Sequence, residues 1–455
     1  MGEKVLIKKI EVTKLFGILN HSIELNLDEH ITIIYGPNGI GKTIILSMIY
    51  GLFNSDYRIL KSTPFEKFIL YFDDGSTLKV TKEYDSHPRN KIPSGTYKLV
   101  LSYEDSSSKN HAHKITLISP VELSHFSPGL LRIIDREISG LERINEYQWY
   151  NAFSNETLDL EDIIARYRDR FPPDLSNRLT KKEKEWFKEL KKSINIGFIQ
   201  TERLQNLTFR RSYPGREYNE IPRSAVVYYS RKLVEAIKEK LAEYSTNSQS
   251  LDRSFPVRLV EHTQSGGLTV EQITKELRNL EEKRTKLMTT GFLDKEKEPD
   301  FSKIMKADLS NGSMLEVFIE DVREKLKVFD DLTNEIDILV NIINKKFLYK
   351  KMSISKTEGF VFKLNNGEKL PIEKLSSGEQ HELVLLYELL FEKPAGSLIL
   401  IDEPEISLHL VWQQEFLKDL SKIAELRKLN FLIATHSPQI IHDRGDLMVE
   451  LKGPP

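Results

Sequence analysis

The chain is predicted to be α/β. A mixed β-sheet core with an antiparallel β-lobe beside it is divided by a helical, coiled-coil-like insertion. Three observations predict this. Gly36-Pro37-Asn38-Gly39-Ile40-Gly41-Lys42-Thr43 stands between an apolar strand, Ile31 to Tyr35, and a helix apolar almost all round, Ile44 to Phe53. Two later apolar runs, Ser397 to Ile401 and Phe431 to Ala434, end in polar groups as strands of one sheet would. Between the halves, Val322, Leu326, Phe329, Thr333, Ile336, Val340, Ile343 and Phe347 alternate four and three apart, the heptad period.

Composition bounds the rest. At 455 residues the chain has room for two or three domains, or one domain with a large insertion. A net charge of −2 does not mark a nucleic-acid binder. The absence of cysteine excludes disulfides, zinc–thiolate sites and cysteine nucleophiles, and fits a reducing cytosol. The start, Met1 to Val5, lacks a signal-peptide core, and no apolar run approaches the ~18 to 20 residues needed to span a bilayer. A cytoplasmic protein without membrane partners is expected.

Residues 4 to 13 and 22 to 27 read as half-buried strands, the second alternating at period two. Phe16, between them, is expected to be simple packing rather than an adenine contact. Phe68 to Tyr84 reads as a hairpin turning at Asp73-Asp74-Gly75-Ser76, and 96 to 104 and 113 to 119 add further strands of the β-lobe. From about Leu130 to Ser193 the pattern is helical. It includes Leu158 to Phe171, a Pro172-Pro173 break and a charged amphipathic segment, Lys181 to Lys192, whose lysines read as a solvated face. Ile194 to Gln200 is an apolar strand ending in glutamine, where ligands approach an open α/β sheet; an ordinary exposed polar residue is the competing reading.

A helix from Ser224 to about Tyr244 is expected to end in the polar stretch Ser245 to Arg253. Val270, Ile273, Leu277, Leu280 and Leu287 mark a second helix, and Thr289 to Gly312 a loop or helix–helix tip. With the heptad run these make an antiparallel hairpin whose longer arm is ~40 to 50 Å, or a stripe docked on a globular core. Residues 351 to 372 return to β structure around Asn365-Asn366-Gly367-Glu368. The expected divisions are 1–204, 205–350 and 351–455.

The chemistry lies in four short stretches. The glycines of 36 to 41 let the backbone fold around an anion, so that N–H groups and the following helix N-terminus face phosphates. Lys42 would reach the β- and γ-phosphates, and the Thr43 hydroxyl would hold Mg²⁺. Leu375-Ser376-Ser377-Gly378-Glu379-Gln380-His381 opens another apolar helix, Leu383 to Phe391, and forms a second anion cradle; alone it would be only an N-cap. Asp402, ending its apolar strand, is placed to engage Mg²⁺ directly or through water. Glu403 could polarise a water for attack on the γ-phosphate. His436 closes a third strand at the same sheet edge, which favours a γ-phosphate contact over the usual satisfied surface histidine.

In order and type these stretches resemble the ABC-type ATPases, in the branch containing the SMC and Rad50 proteins, RecF and the OLD-family ATPases. Ser377 replaces a glycine of the transporter signature and Glu379 its glutamine, which also points to this branch. Glu405 to His409 resembles its D-loop, with Leu410 where many relatives have proline. The resemblance implies ATP and Mg²⁺ as cofactors and ATP hydrolysis as the activity. It also implies that Gln200 is the Q-loop glutamine, assisting Mg²⁺ and the attacking water. It further implies that Ser376 to Glu379 act in trans, so that activity needs a head-to-tail dimer or larger homo-oligomer.

The sequence runs about twenty residues past His436, and the C-terminal nuclease of OLD-type proteins is expected to be a separate chain. Leu251 to Pro256 and Thr435 to His442 resemble standalone anti-phage defence ATPases, foremost the ATPase subunit of the PARIS system and next that of Septu. That resemblance implies a separate effector nuclease or toxin and a phage-encoded trigger. The alternative is a RecF- or Rad50-like DNA-repair ATPase, against which the near-neutral charge and the missing zinc hook argue. A transporter subunit is a third class, disfavoured by the β-lobe, the insertion and the form of the signature.

Overall fold

The computed structural model describes residues 5–84, 97–105, 113–117, 134, 138, 141–145, 148–151, 156–159, 163, 184–200, 225–261, 268–289, 291–293, 312–406 and 408–453. The chain divides into two compact units. One comprises Met1–Ile199, Gly396–Glu403 and Leu429–Pro455; the other comprises Gln200–Ala395 and Pro404–Lys428.

In the first unit, β1 (Ile7–Leu15) and β2 (Leu19–Glu24) lead to β3 (Ile31–Tyr35) and helix α1 (Lys42–Phe53). β4 (Lys67–Phe72), β5 (Thr77–Tyr84), β6 (Tyr97–Glu104) and β7 (His113–Leu117) follow a short helix α2 (Arg58–Ser62). Together these strands form an antiparallel sheet in the order β2-β1-β4-β5-β6-β7, with β3 excluded. β2 alternates buried and exposed along its whole length, the signature of a sheet with one wet face.

β3 belongs to a second sheet, in the order β11 (Ile196–Gln200), β15 (Leu398–Asp402), β16 (Asn430–Thr435), β3 and β17 (Met448–Glu450). β15, β16, β3 and β17 run parallel. β16 is buried at every position, and β15 and β3 at all but the last, because a parallel sheet is covered on both faces. Ile45, Leu46, Ile49 and Leu52 of α1 share one core with Ile10, Val12, Phe68 and Leu70 of the antiparallel sheet. Leu400, Leu432 and Ala434 of the parallel sheet complete it. That is why α1 has no polar face. Each fully buried aliphatic side chain contributes about 1.5–3 kcal/mol, so both flanks of the glycine loop are anchored by the core.

One expectation for this unit changes. Within the stretch expected to be helical, β8 (Leu141–Asn145), β9 (Gln148–Asn151) and β10 (Glu156–Asp159) instead make a small antiparallel sheet. Trp149 and Leu158 are buried cross-strand partners, and strands of four or five residues are too short to show their period in a window of helical length. Within the expected Lys181 to Lys192 segment, α3 (Glu185–Ser193) is helical and buries Phe187 and Leu190. The Pro172-Pro173 break and Thr201 to Leu204 lie outside the described residues.

In the second unit, α4 (Ala225–Glu261) does not end at Ser245. Its hydroxyls bond back along the helix instead of breaking it: Thr246 Oγ1 donates to the Ala242 carbonyl at 3.0 Å, and Ser254 Oγ to that of Ser250 at 3.1 Å. Pro256 sits inside the helix, and Arg258 folds back to donate to the Leu251 carbonyl at 2.9 Å and to Asp321. α5 (Val270–Thr289) buries Ile273, Leu277, Leu280 and Leu287, whereas Val270, expected in the same seam, is 56% exposed.

The heptad run is interrupted between α6 (Gly312–Lys327) and α7 (Asp330–Lys346), with Phe329 as the cap residue of α7. Its stripe passes unbroken through the interruption, but the two helices bury it differently. α6 packs on α4 and α5, while α7 packs on β12 (Lys350–Ser355), α8 (Ser377–Tyr387) and α9 (Leu410–Arg427). The second half of the stripe is thus docked rather than projecting. β12, β13 (Gly359–Leu364) and β14 (Lys369–Leu370) form a three-stranded sheet around the expected turn. Among the described residues, no helix is long and apolar enough to cross a membrane.

Candidate functional site

Three parallel strands end at one edge. In register, Asp402 of β15 pairs with Ala434 of β16, and Thr435 of β16 pairs with Tyr35 of β3. Glu403, His436 and the glycine loop therefore leave the sheet side by side, at the carboxyl ends of strands where open α/β sheets bind ligands.

The loop turns through Gly39 at φ 84° and Gly41 at φ 97°, conformations that favour glycine. Gly41 has a second constraint, because a Cβ there would lie 2.5 Å from Leu15 Cδ2. No side chain caps α1 at Gly41, so its first-turn N–H groups are available to an anion. Lys42 is buried, and its ammonium donates to the Gly36 carbonyl at 2.7 Å and the Pro37 carbonyl at 3.1 Å, spanning the turn from within. The loop is also pinned by His21, whose Nε2 lies 2.9 Å from the Ile40 carbonyl. Burial holds the His21 pKa below its ordinary value, so the ring is neutral.

Thr43 and Asp402, 359 positions apart, are in contact: Thr43 Oγ1 donates to Asp402 Oδ1 at 3.1 Å. A hydroxyl and a carboxylate converging on one point form a hard-oxygen pair of the kind Mg²⁺ takes, leaving its other positions to phosphate and water oxygens. Among the described residues there is no cluster of three or more His, Asp or Glu side chains of the sort that builds an all-protein metal cage. The site thus fits a cation delivered with a phosphate ligand.

Glu403 lies beyond the end of β15, yet its N–H still donates to the Ala434 carbonyl at 2.8 Å. Its φ is 44°, a left-handed conformation that costs a non-glycine residue on the order of 1–3 kcal/mol. The result is a carboxylate at the strand end, its Oε1 3.7 Å from His436 Nδ1. Both side chains keep access to solvent, 29% exposed for Glu403 and 48% for His436. An acid and an imidazole 3.7 Å apart can order and polarise a water.

Gln200 is the last residue of β11, in the same sheet. In the second unit, Ser376 is the N-cap of α8 and Glu379 completes a capping box with it. Gly378 has no positive φ, and a Cβ there would meet nothing within 4 Å. Leu410 is the first residue of α9, a position that also suits proline, and the helix starts there intact with leucine.

Phe16 is not core packing. It is 42% exposed with φ 54°, and its ring edge would lie 3.5 Å from a Cβ on Gly41, so it flanks the loop. His21 was legible only in outline, as a histidine at an inward position of the strand holding buried Leu19 and Ile23.

The AAA ATPase domain model, AAA_15, matches residues 6–441. The chain belongs to this family. Over 197 residues it is 23% identical to the Retron Ec83 probable ATPase of Escherichia coli, an alignment covering 40% of this chain and 35% of that protein. The chain therefore spans about a third of that relative's length. It is also similar to the Smc head domain with an extended coiled coil, bound to the C-terminal domain of ScpA, from Pyrococcus furiosus. That likeness is 13% in sequence with a TM-score of 0.36, over 99% of this chain and 94% of that one. For the SMC head domain from Thermotoga maritima the figures are 12%, 0.31, 98% and 94%.

Proposed function

We propose that this ATPase domain is a nucleotide-driven switch between copies of the chain. The observation that carries the reading is the Thr43–Asp402 contact, which brings a hydroxyl and a carboxylate from the two sequence halves together. In this reading Lys42 exchanges its loop carbonyls for the β- and γ-phosphates, and Thr43 and Asp402 hold Mg²⁺, which supplies charge neutralisation when bound. Glu403 accepts a proton from the attacking water, which His436 and Gln200 help to orient. Ser376, Ser377, Gly378 and Glu379 of a second copy close the site. Gly378 accords with that role: it has no positive φ, and a Cβ there would meet nothing within 4 Å, so neither backbone conformation nor space within the described residues calls for glycine at this turn.

The output of the switch is the control of a separate effector nuclease or toxin in anti-phage defence, released by a phage-encoded trigger. The likeness to a protein named as a retron's probable ATPase accords with this reading. The test is phage plating on cells carrying the chain with its neighbouring genes. Protection that Lys42→Ala abolishes is expected; equal plating with and without the wild-type genes removes the defence role.

A further inference from the structure

The first turn of α8 carries a negative charge where an anion is meant to arrive. Glu379 Oε2 accepts the Ser376 N–H at 2.9 Å, and the Glu379 N–H donates to Ser376 Oγ at 3.4 Å. A glutamine closes the same box without a charge. Left alone, a carboxylate in this turn would oppose the attraction of the helix N-terminus for a polyphosphate.

It is not left alone. Lys350 Nζ, from the first residue of β12, donates to Glu379 Oε2 at 2.9 Å and lies 2.8 Å from Oε1. Both side chains are largely withdrawn from water, 17% exposed for Lys350 and 12% for Glu379. Burial works to raise the Glu379 pKa, but the hydrogen bonds from Lys350 and Ser376 outweigh it and hold the carboxyl below its ordinary value. The Glu379 carboxyl is therefore ionised at neutral pH, with the Lys350 side chain set against it.

We propose that Lys350 is a positioning residue for ATP hydrolysis, neutralising and orienting Glu379 so that the Ser376–Glu379 turn can close on the triphosphate held by a second copy. This rests on the two-copy reading above. The cap geometry and the electrostatic neutrality of the turn then have separate sources, the Ser376–Glu379 box and Lys350.

The test is a charge cycle on the full chain, reading steady-state ATP turnover. Lys350→Met is expected to raise the ATP concentration for half-maximal rate about tenfold, with the saturated rate much less affected. Adding Glu379→Gln, which removes the stranded charge and keeps the cap, should recover most of that loss. Nucleotide affinity is also measured in a Ser376→Arg background, where only the glycine-loop half of the site is read. Lys350→Met should not change it. The proposal is overturned if Lys350→Met is neutral, if the double variant is as impaired as the single one, or if affinity in the Ser376→Arg background falls as well. Wild-type turnover by Ser376→Arg alone would instead overturn the two-copy reading, whatever Lys350 does.

Discussion

Glu403 holds a left-handed backbone although it is not glycine, and the ladder bond to Ala434 keeps it there. Such strain persists where the surrounding structure over-determines it, and here it aims a carboxylate past the strand end. Glu403→Gln keeps the shape and loses the base, so ATP should still bind while turnover falls by about 10² or more. Single-turnover and binding measurements separate the two effects, and normal hydrolysis by this variant would remove the assignment. Gly41→Ala adds a methyl at φ 97° within 2.5 Å of Leu15 Cδ2. Nucleotide binding should be lost, and because Leu15 and Ile40 belong to the core the variant should also melt somewhat earlier; equilibrium binding and thermal unfolding of the same sample check both halves. At this scale the sequence was most informative. The glycine loop, the acid pair and His436 follow apolar runs so distinct that the strand ends could be read directly. Lys350 and His21 escaped because their roles depend on pairings 29 and 19 positions away that no local pattern announces.

At the scale of elements, α7, α8 and α9 meet around a buried ion cluster. Lys346 forms ion pairs with Glu382 and, at 2.8 Å, with Asp419, and each side chain is under 5% exposed. One ammonium thus serves two buried carboxyl groups. Lys346→Met would leave both without it, and a destabilisation of about 3–5 kcal/mol is expected in denaturant unfolding. A loss below about 1 kcal/mol would show that the cluster is not the joint of these helices. Glu335 of α7 gives a pH signature. Its pKa is pushed up from 4.5 to about 7 by burial, against the pull of Arg427. The folded state then holds this proton more tightly than the unfolded one. Stability from that proton is full below about pH 4.5 and is lost as pH rises through about 7. Glu335→Gln should flatten the change in urea midpoint between pH 5 and pH 8; an unchanged slope would contradict this. The helices themselves were legible from their apolar spacing. Their limits were not: hydroxyls at Thr246 and Ser254 look like breakers in sequence but bond back to the preceding turn. The heptad stripe likewise could not reveal whether its partner was another arm or the α8–α9 surface, because both demand the same apolar spacing.

For the whole molecule, the glycine loop before α1 and the capped turn at Ser376 belong to different compact units. A net charge of −2 offers no general attraction to a polyanion. Duplex DNA should therefore leave the ATPase rate unchanged at physiological salt, and a salt-sensitive stimulation would favour a DNA-repair role instead. The central claim is that one copy completes the other, and a mixing experiment tests it most directly. Lys42→Ala disables the loop half of a site, and Ser376→Arg disables the signature half. Each alone should turn over little ATP. In a mixed dimer, one site pairs the intact loop of Ser376→Arg with the intact signature of Lys42→Ala. The mixture should hydrolyse ATP at a rate that neither variant reaches alone, and a mixture no faster than the sum of its parts would contradict the account.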